Sequence, residues 1–125
     1  MSESYLPAIV RRQVRERAGG RCEYCLLAED DAFFPHEPDH ILAVKHGGTG
    51  TLDNPAWACF DCNQFKGSDI ASRDTVSGEL VLLFHPRTQR WDEHFRLQGG
   101  SIIPLTSIHR SRYGLPVEIQ SAATC

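Results

Sequence analysis

Two Cys-x-x-Cys pairs constrain the fold of this 125-residue chain more than any other feature of its sequence. The pairs are Cys22 with Cys25 and Cys59 with Cys62. The two-residue spacing lets both sulfurs of a pair point at one ion, and two pairs complete a tetrahedron. The alternatives are four incidental buried thiols or a redox pair, but a redox motif needs only one Cys-x-x-Cys. We therefore predict a structural zinc site in which thiolates fill all four coordination positions.

The segment between the two pairs is long for a zinc ribbon. It holds 33 residues, from 26 to 58, whereas ribbons commonly place 15 to 20 residues between their pairs. A segment of this length has room for a hairpin of its own. Zinc would then hold together the two ends of an inserted functional loop.

Composition is that of one globular domain, with 41% apolar and 23% charged residues. No apolar run approaches the ~20 residues of a membrane helix, and the longest is Leu80 to Phe84. The start of the sequence lacks the basic-then-apolar layout of a secretory signal. We therefore expect a single α+β domain over residues 1–125, without membrane contact and in the cytoplasm.

Charge is unevenly distributed along the chain. The net charge of −3 argues against a protein that coats nucleic acid by bulk attraction. Eleven of the 13 basic residues are arginines, and five of these lie between residues 11 and 21. A helix is predicted over residues 6–18, with Arg11 and Arg15 off its apolar stripe. This arginine face is either solvated or in contact with phosphates.

Further elements follow from the apolar pattern. Strands are predicted at Asp39–Val44, Glu79–Phe84, Trp91–Leu97 and Ser101–Leu105, a helix within Ala56–Lys66, and a last helix from Thr106 to about Tyr113. Asp53 or Asn54 is a candidate N-cap, with Pro55 at the first helical position. The expected order is a helix, a strand pair, a helix and then more strands.

Polar residues with hydrolytic chemistry lie inside and just after the long segment. Asp39 is a hard oxygen ligand suited to Mg²⁺, and Asn63 offers an amide oxygen. His40 follows Asp39, and an ordinary imidazole can accept a proton from water near neutral pH. Lys66 lies three residues after Asn63, and His46 in the glycine-rich turn; both are candidate phosphate contacts.

Each of these residues also has a structural interpretation. Asp39 could be an acidic residue of a turn. His40 could be a hydrogen-bonded residue of a strand, and Asn54 could be only a helix cap. Adjacent residues of a regular strand face opposite sides, so Asp39 and His40 share a site only if the strand starts or is irregular there. Taken together inside a zinc-closed loop, the set favours phosphodiester hydrolysis, which needs a metal ion and a base.

The combined motifs resemble an HNH endonuclease with zinc-binding cysteine pairs. The resemblance rests on Arg21-Cys-Glu-Tyr-Cys25, Asp39-His-Ile41, Gly47-Gly48, Leu52-Asp-Asn54, Cys59-Phe-Asp-Cys-Asn63 and Lys66-Gly67. The chain is also similar to the extension of small bacterial HNH proteins, in the segments Leu83-Phe-His-Pro-Arg-Thr88 and Trp91-Asp-Glu-His-Phe95. The resemblance implies a ββα-metal core over about residues 20–70, with an extension over about residues 79–115.

The resemblance also implies roles for the site residues. His40 would be the general base, Asp39 and Asn63 the ligands of a catalytic divalent ion such as Mg²⁺, and Asn54 the residue that holds the loop and orients the histidine. Two features depart from the family pattern. Relatives often carry Glu where this chain has Asp39, and residues 108–112 match the expected C-terminal run only loosely.

Two functions follow as hypotheses. The first is a metal-dependent endonuclease that hydrolyses DNA phosphodiester bonds. The second is a zinc-stapled module that binds nucleic acid or protein without catalysis. The oligomeric state stays open, although a double-strand cutter with one active site would most simply work as a dimer.

Overall fold

The computed structural model describes residues 6–74, 76–99 and 101–106. In chain order its elements are α1 (Ala8–Ala18), β1 (Glu37–His40), β2 (Pro55–Ala58), α2 (Phe60–Lys66), β3 (Ala71–Arg73), β4 (Leu80–Leu82), α3 (Trp91–His94), β5 (Phe95–Gln98) and β6 (Ser101–Pro104). The described strands form three antiparallel pairs, β1–β2, β3–β4 and β5–β6. This mixture of helices and small antiparallel ribbons confirms the α+β class.

Helix α1 is two residues shorter than predicted. Pro7 keeps an extended backbone and occupies the N-cap position, where its carbonyl accepts the Arg11 amide at 3.0 Å. Gly19 ends the helix with a φ of 66°, a left-handed conformation that glycine adopts at little cost. The apolar stripe points inward, because Val14 is fully buried and Leu6 is 5% exposed. Helix α1 thereby packs on the β1–β2 ribbon.

The β1–β2 ribbon differs from the predicted elements. Strand β1 ends at His40 instead of beginning at Asp39, and residues 55–58 form β2 rather than the start of a helix. All four β2 residues are buried. A short apolar run covered on both faces lacks the alternation that marks a strand in sequence, so periodicity could not separate strand from helix here. Asn54 is consequently not a helix cap.

The C-terminal half contains two further ribbons. Strand β4 falls within the predicted Glu79–Phe84, and β6 matches the predicted Ser101–Leu105. The predicted strand over Trp91–Leu97 is instead one helical turn, α3, followed by β5. The last predicted helix and Cys125 lie outside the described residues.

One hydrophobic core joins the two halves of the chain. It includes the four cysteines and Tyr24 from the N-terminal half and Phe84, Phe95 and Ile102 from the C-terminal half. Within the described residues, no helix has the length and apolar character needed to cross a membrane.

Candidate metal centre and active-site cavity

The four cysteine side chains meet in one buried cluster. Their sulfur atoms all lie within 4.8 Å of one another, and Sγ of Cys25 is 3.8 Å from Sγ of Cys59. A tetrahedral zinc site with Zn–S bonds of about 2.3 Å places its sulfurs about 3.8 Å apart. The cluster therefore fits a zinc ion, as predicted from the cysteine spacing.

Both cysteine pairs sit in tight turns whose amides face sulfur. The Tyr24 amide donates to Sγ of Cys22, and the Cys62 amide donates to Sγ of Cys59, each at 3.4 Å. Cys59 is also the N-cap of α2, so the second pair forms the start of that helix. Such amides stabilise negative charge on sulfur, as thiolate ligands require.

The neighbouring thiols and burial set the protonation of the cluster. Hydrogen bonding with Cys22 and Cys59, together with burial, raises the pKa of Cys25, and the Cys22 side chain raises the pKa of Cys59 to about 12. Burial opposes ionisation of Cys22 too, but hydrogen bonds from Cys25 and Cys59 lower its pKa well below the usual value. Further thiolates in this buried space need a cation to balance their charge.

Asp39, His40 and Asn63 line a single open cavity of about 410 Å³. Asp39 and His40 are the last two residues of β1, and Asn63 lies in α2, directly after the zinc-pair residue Cys62. His40 ends the strand, so the alternation of a regular strand no longer separates it from Asp39. The fold therefore brings these three predicted site residues together, although at the end of a strand and not at its start.

The donor set of this cavity suits a hard divalent ion. A carboxylate from Asp39 and an amide oxygen from Asn63 are ligands that Mg²⁺ accepts alongside water. Nε2 of His40 is buried and has no hydrogen-bond partner among the described residues. An unpartnered buried nitrogen is costly, and a water molecule or a ligand bound next to it would lower that cost.

The Asp39 carboxylate is held by two side chains. It is 6% exposed, and its Oδ2 accepts a hydrogen bond from the Tyr24 hydroxyl at 2.9 Å. Lys66 Nζ lies 3.3 Å from the same oxygen and donates to the His40 carbonyl at 2.9 Å. The Lys66 side chain is 2% exposed, so it does not offer its ammonium group to a phosphate outside the protein.

Asn54 closes the loop that follows β1. Its Oδ1 accepts the Leu42 amide at 2.9 Å, and its Nδ2 donates to the carbonyls of Leu42 and Thr49 at 3.0 and 2.6 Å. The Asn54 carbonyl accepts the amide of Ile41, next to His40. Asn54 thus fixes the backbone behind the histidine but does not line the cavity.

The remaining candidate contacts are spread over the surface. Arg11 lines the cavity and pairs with Glu37 at 3.2 Å, both side chains being about half exposed. Arg15 instead pairs with Glu29 and lowers the pKa of that carboxyl, which also accepts the Trp57 indole N–H. His46 is exposed in a 3₁₀ turn and does not line the cavity.

Tyr24 links the zinc turn to Asp39 and is not among the site residues predicted from the sequence. A signal was present: Tyr24 lies between two ligands of one zinc pair, where its ring is forced into the core beside the metal. The hydroxyl of a buried tyrosine then needs an acceptor.

Comparison with protein-family models gives a match over part of the chain. The model of the family described as HNH endonuclease matches residues 22–69, a segment that contains both cysteine pairs and the cavity residues Asp39, His40 and Asn63. No curated protein and no solved structure matches the chain. Residues 22–69 are therefore similar to the HNH endonuclease family.

Proposed function

We propose that the chain is a metal-dependent endonuclease that hydrolyses DNA phosphodiester bonds. The observation that carries this proposal is the convergence of Asp39, His40 and Asn63 on one open cavity within the family-matched segment. A carboxylate, an amide oxygen and an imidazole are the groups that hydrolysis by an activated water requires.

His40 is proposed as the general base. Its Nε2, which is buried and lacks a partner among the described residues, would accept the proton of an attacking water admitted next to it. Asp39 and Asn63 would hold the divalent ion. When bound, Mg²⁺ or a similar ion neutralises charge on the scissile phosphate and on the leaving oxygen.

Asn54 is proposed to support this chemistry from outside the cavity. By tying the chain on both sides of the loop, it holds the backbone that follows His40. The imidazole then keeps one orientation toward the cavity, as general base catalysis requires.

DNA contact is proposed at the rim of the cavity. Arg11 already lines it, and Lys45 and His46 are exposed in the turn that follows cavity residues Ala43 and Val44. A few local cations suffice to position a phosphate backbone even when the net charge is −3. We place the protein in the cytoplasm, because four cysteines grouped as candidate zinc ligands suit a reducing compartment better than an oxidising one.

A non-catalytic binding module is the second candidate. The Lys66–Asp39 pair favours it, because an internal ammonium group already neutralises the carboxylate that would bind the ion. In that case the cavity would recognise a ligand, and His40 would not act as a base.

A supercoiled-plasmid assay with Mg²⁺ or Mn²⁺ distinguishes the two functions. His40→Ala should lower the cleavage rate by about 10²- to 10⁴-fold, the usual contribution of a general base, and EDTA should abolish cleavage. His85→Ala is the matched control, because His85 lines a separate, largely apolar cavity.

The zinc content of each variant should be measured in parallel. A zinc-loaded His40→Ala protein that cleaves at the wild-type rate would refute the role of His40. A zinc-loaded wild-type chain that cleaves no DNA with either metal ion would favour the binding module.

A further inference from the structure

We propose that Tyr24 and Lys66 are positioning residues that fix the Asp39 carboxylate for the divalent ion. This inference rests on the proposed function in one respect: it takes Asp39 to be an ion ligand. Neither residue needs to touch DNA or the reacting atoms. Both act by holding an oxygen ligand in place before the ion arrives.

Tyr24 reaches Asp39 from the first zinc turn. Its side chain is 2% exposed and packs in the core, and its hydroxyl donates to Oδ2 of Asp39 at 2.9 Å. The Tyr24 carbonyl accepts the Trp91 indole N–H at 2.8 Å, so the residue is anchored at its backbone as well. The position of the hydroxyl is therefore set by the zinc turn and the core.

Lys66 reaches the same oxygen from α2. Its ammonium group faces three oxygens: Oδ2 of Asp39 at 3.3 Å, the His40 carbonyl at 2.9 Å and the Gly67 carbonyl at 3.4 Å. An ammonium group has three N–H donors, so this set can satisfy all of them. A buried, fully partnered cation is a fixed structural element, unlike the mobile lysine of a surface phosphate contact.

Together the two contacts join the zinc cluster to the active-site cavity. Tyr24 lies next to Cys25, and Lys66 lies in the helix that begins at Cys59. Asp39 is thus held between the elements that supply the two zinc pairs. Loss of an outer partner of a metal ligand typically costs about 10- to 100-fold in metal affinity or activity.

Charge alone predicts the opposite effect for Lys66. An ammonium group 3.3 Å from the carboxylate repels a divalent cation, so its removal would strengthen ion binding if electrostatics dominated. Tyr24 carries no charge, so its removal tests positioning alone. The two residues therefore form an informative pair of variants.

The experiment measures Mn²⁺ binding to the zinc-loaded full chain by electron paramagnetic resonance, without DNA. Tyr24→Phe and Lys66→Met should each weaken Mn²⁺ binding by about 10-fold or more. Ser77→Ala and Arg87→Met are the matched controls: the first removes a hydroxyl bonded to the carboxylate of Asp74, which does not line the cavity, and the second removes the cation paired with Glu23. Both should bind Mn²⁺ within about 2-fold of wild type, well below the effect of losing a partner of a metal ligand.

Tyr24→Phe keeps the ring and its packing. It therefore still tests whether a partner of Asp39 affects Mn²⁺ binding if Lys66→Met fails to fold. Wild-type affinity in zinc-loaded Tyr24→Phe would overturn the role of Tyr24, and tighter Mn²⁺ binding in Lys66→Met would overturn that of Lys66. An Asp39→Ala variant separates this inference from the proposed function. If Asp39→Ala binds Mn²⁺ like wild type, Asp39 is not a ligand and both proposals fail.

Discussion

Two residues determine the conformation of the loop between β1 and β2. Asn54 contributes hydrogen bonds from its side chain, and Gly48 contributes by having no side chain. Asn54 bridges the Leu42 and Thr49 backbone. Gly48 passes so close to this backbone that an added Cβ would lie 1.6 Å from the Leu42 carbonyl oxygen. Gly48, in the glycine-rich turn, is thus a site of close backbone approach, whereas an added Cβ at Gly47 would meet no atom within 4 Å.

Gly48→Ala is predicted to disrupt this loop. The obstructing atom is backbone and is tied to Asn54, so it cannot move aside as a flexible side chain would. We expect a loss of about 2 kcal/mol or more in unfolding free energy, within the range for forced packing, measured by denaturant unfolding of the zinc-loaded protein.

Gly50→Ala provides the control for that prediction. Its added Cβ would meet only the end of the Leu6 side chain, at 3.0 Å. Equal stabilities of the two variants would show that the approach of Gly48 to Leu42 does not limit the loop.

At the scale of elements, α2 is too short to be stable alone. It has seven residues, well below the ~12–15 at which isolated helices become even marginally stable. Its N-cap and its third residue are zinc-cluster cysteines. The position of Asn63 in the cavity therefore depends on the cluster.

Zinc binding is predicted to release protons and to weaken as the pH falls. The raised pKa values of Cys25 and Cys59 keep both thiols protonated in the metal-free cluster at neutral pH. Binding must displace these protons, and acid restores them, so zinc affinity falls with falling pH.

Calorimetry in buffers of different ionisation enthalpy measures this release directly. At least two protons per zinc are expected at neutral pH, one each from Cys25 and Cys59. Release of one proton or none would contradict the assignment. Far-ultraviolet circular dichroism recorded in parallel should show helix content rising with zinc.

The elements differ in how well the sequence predicts them. Helix α1 and the zinc cluster follow from local signals: a four-residue apolar repeat and a cysteine spacing. Strand β2 does not, because its burial on both faces is created by tertiary packing that a 3- or 4-residue pattern does not encode. The same holds in the candidate site, where Asp39 and His40 were recognisable but the buried location of Lys66 was not.

At the scale of the molecule, the family match stops at residue 69 but the core does not. Phe84, Phe95 and Ile102 pack in the same cluster as Tyr24. Arg87 pairs with Glu23, and the Trp91 indole donates to the Tyr24 carbonyl. We therefore propose that the extension and the HNH segment fold as one unit.

Ile102→Ala tests this unit. Ile102 is fully buried, so its truncation should cost about 2–5 kcal/mol. Because the core is shared, zinc release and loss of tertiary structure should occur in one transition at a lower denaturant concentration. Leu97→Ala, at a half-exposed position of the same ribbon, is the control. Two separate transitions would show that the extension folds independently.

The double role of Cys59 also limits how the chain can change in length. Cys59 starts α2 and ligates zinc, and Asn63 follows one helical turn later. One inserted residue between them would rotate Asn63 by about 100° around the helix axis and would break the ligand spacing if it preceded Cys62. Insertions and deletions are therefore expected to be disfavoured between Cys59 and Asn63.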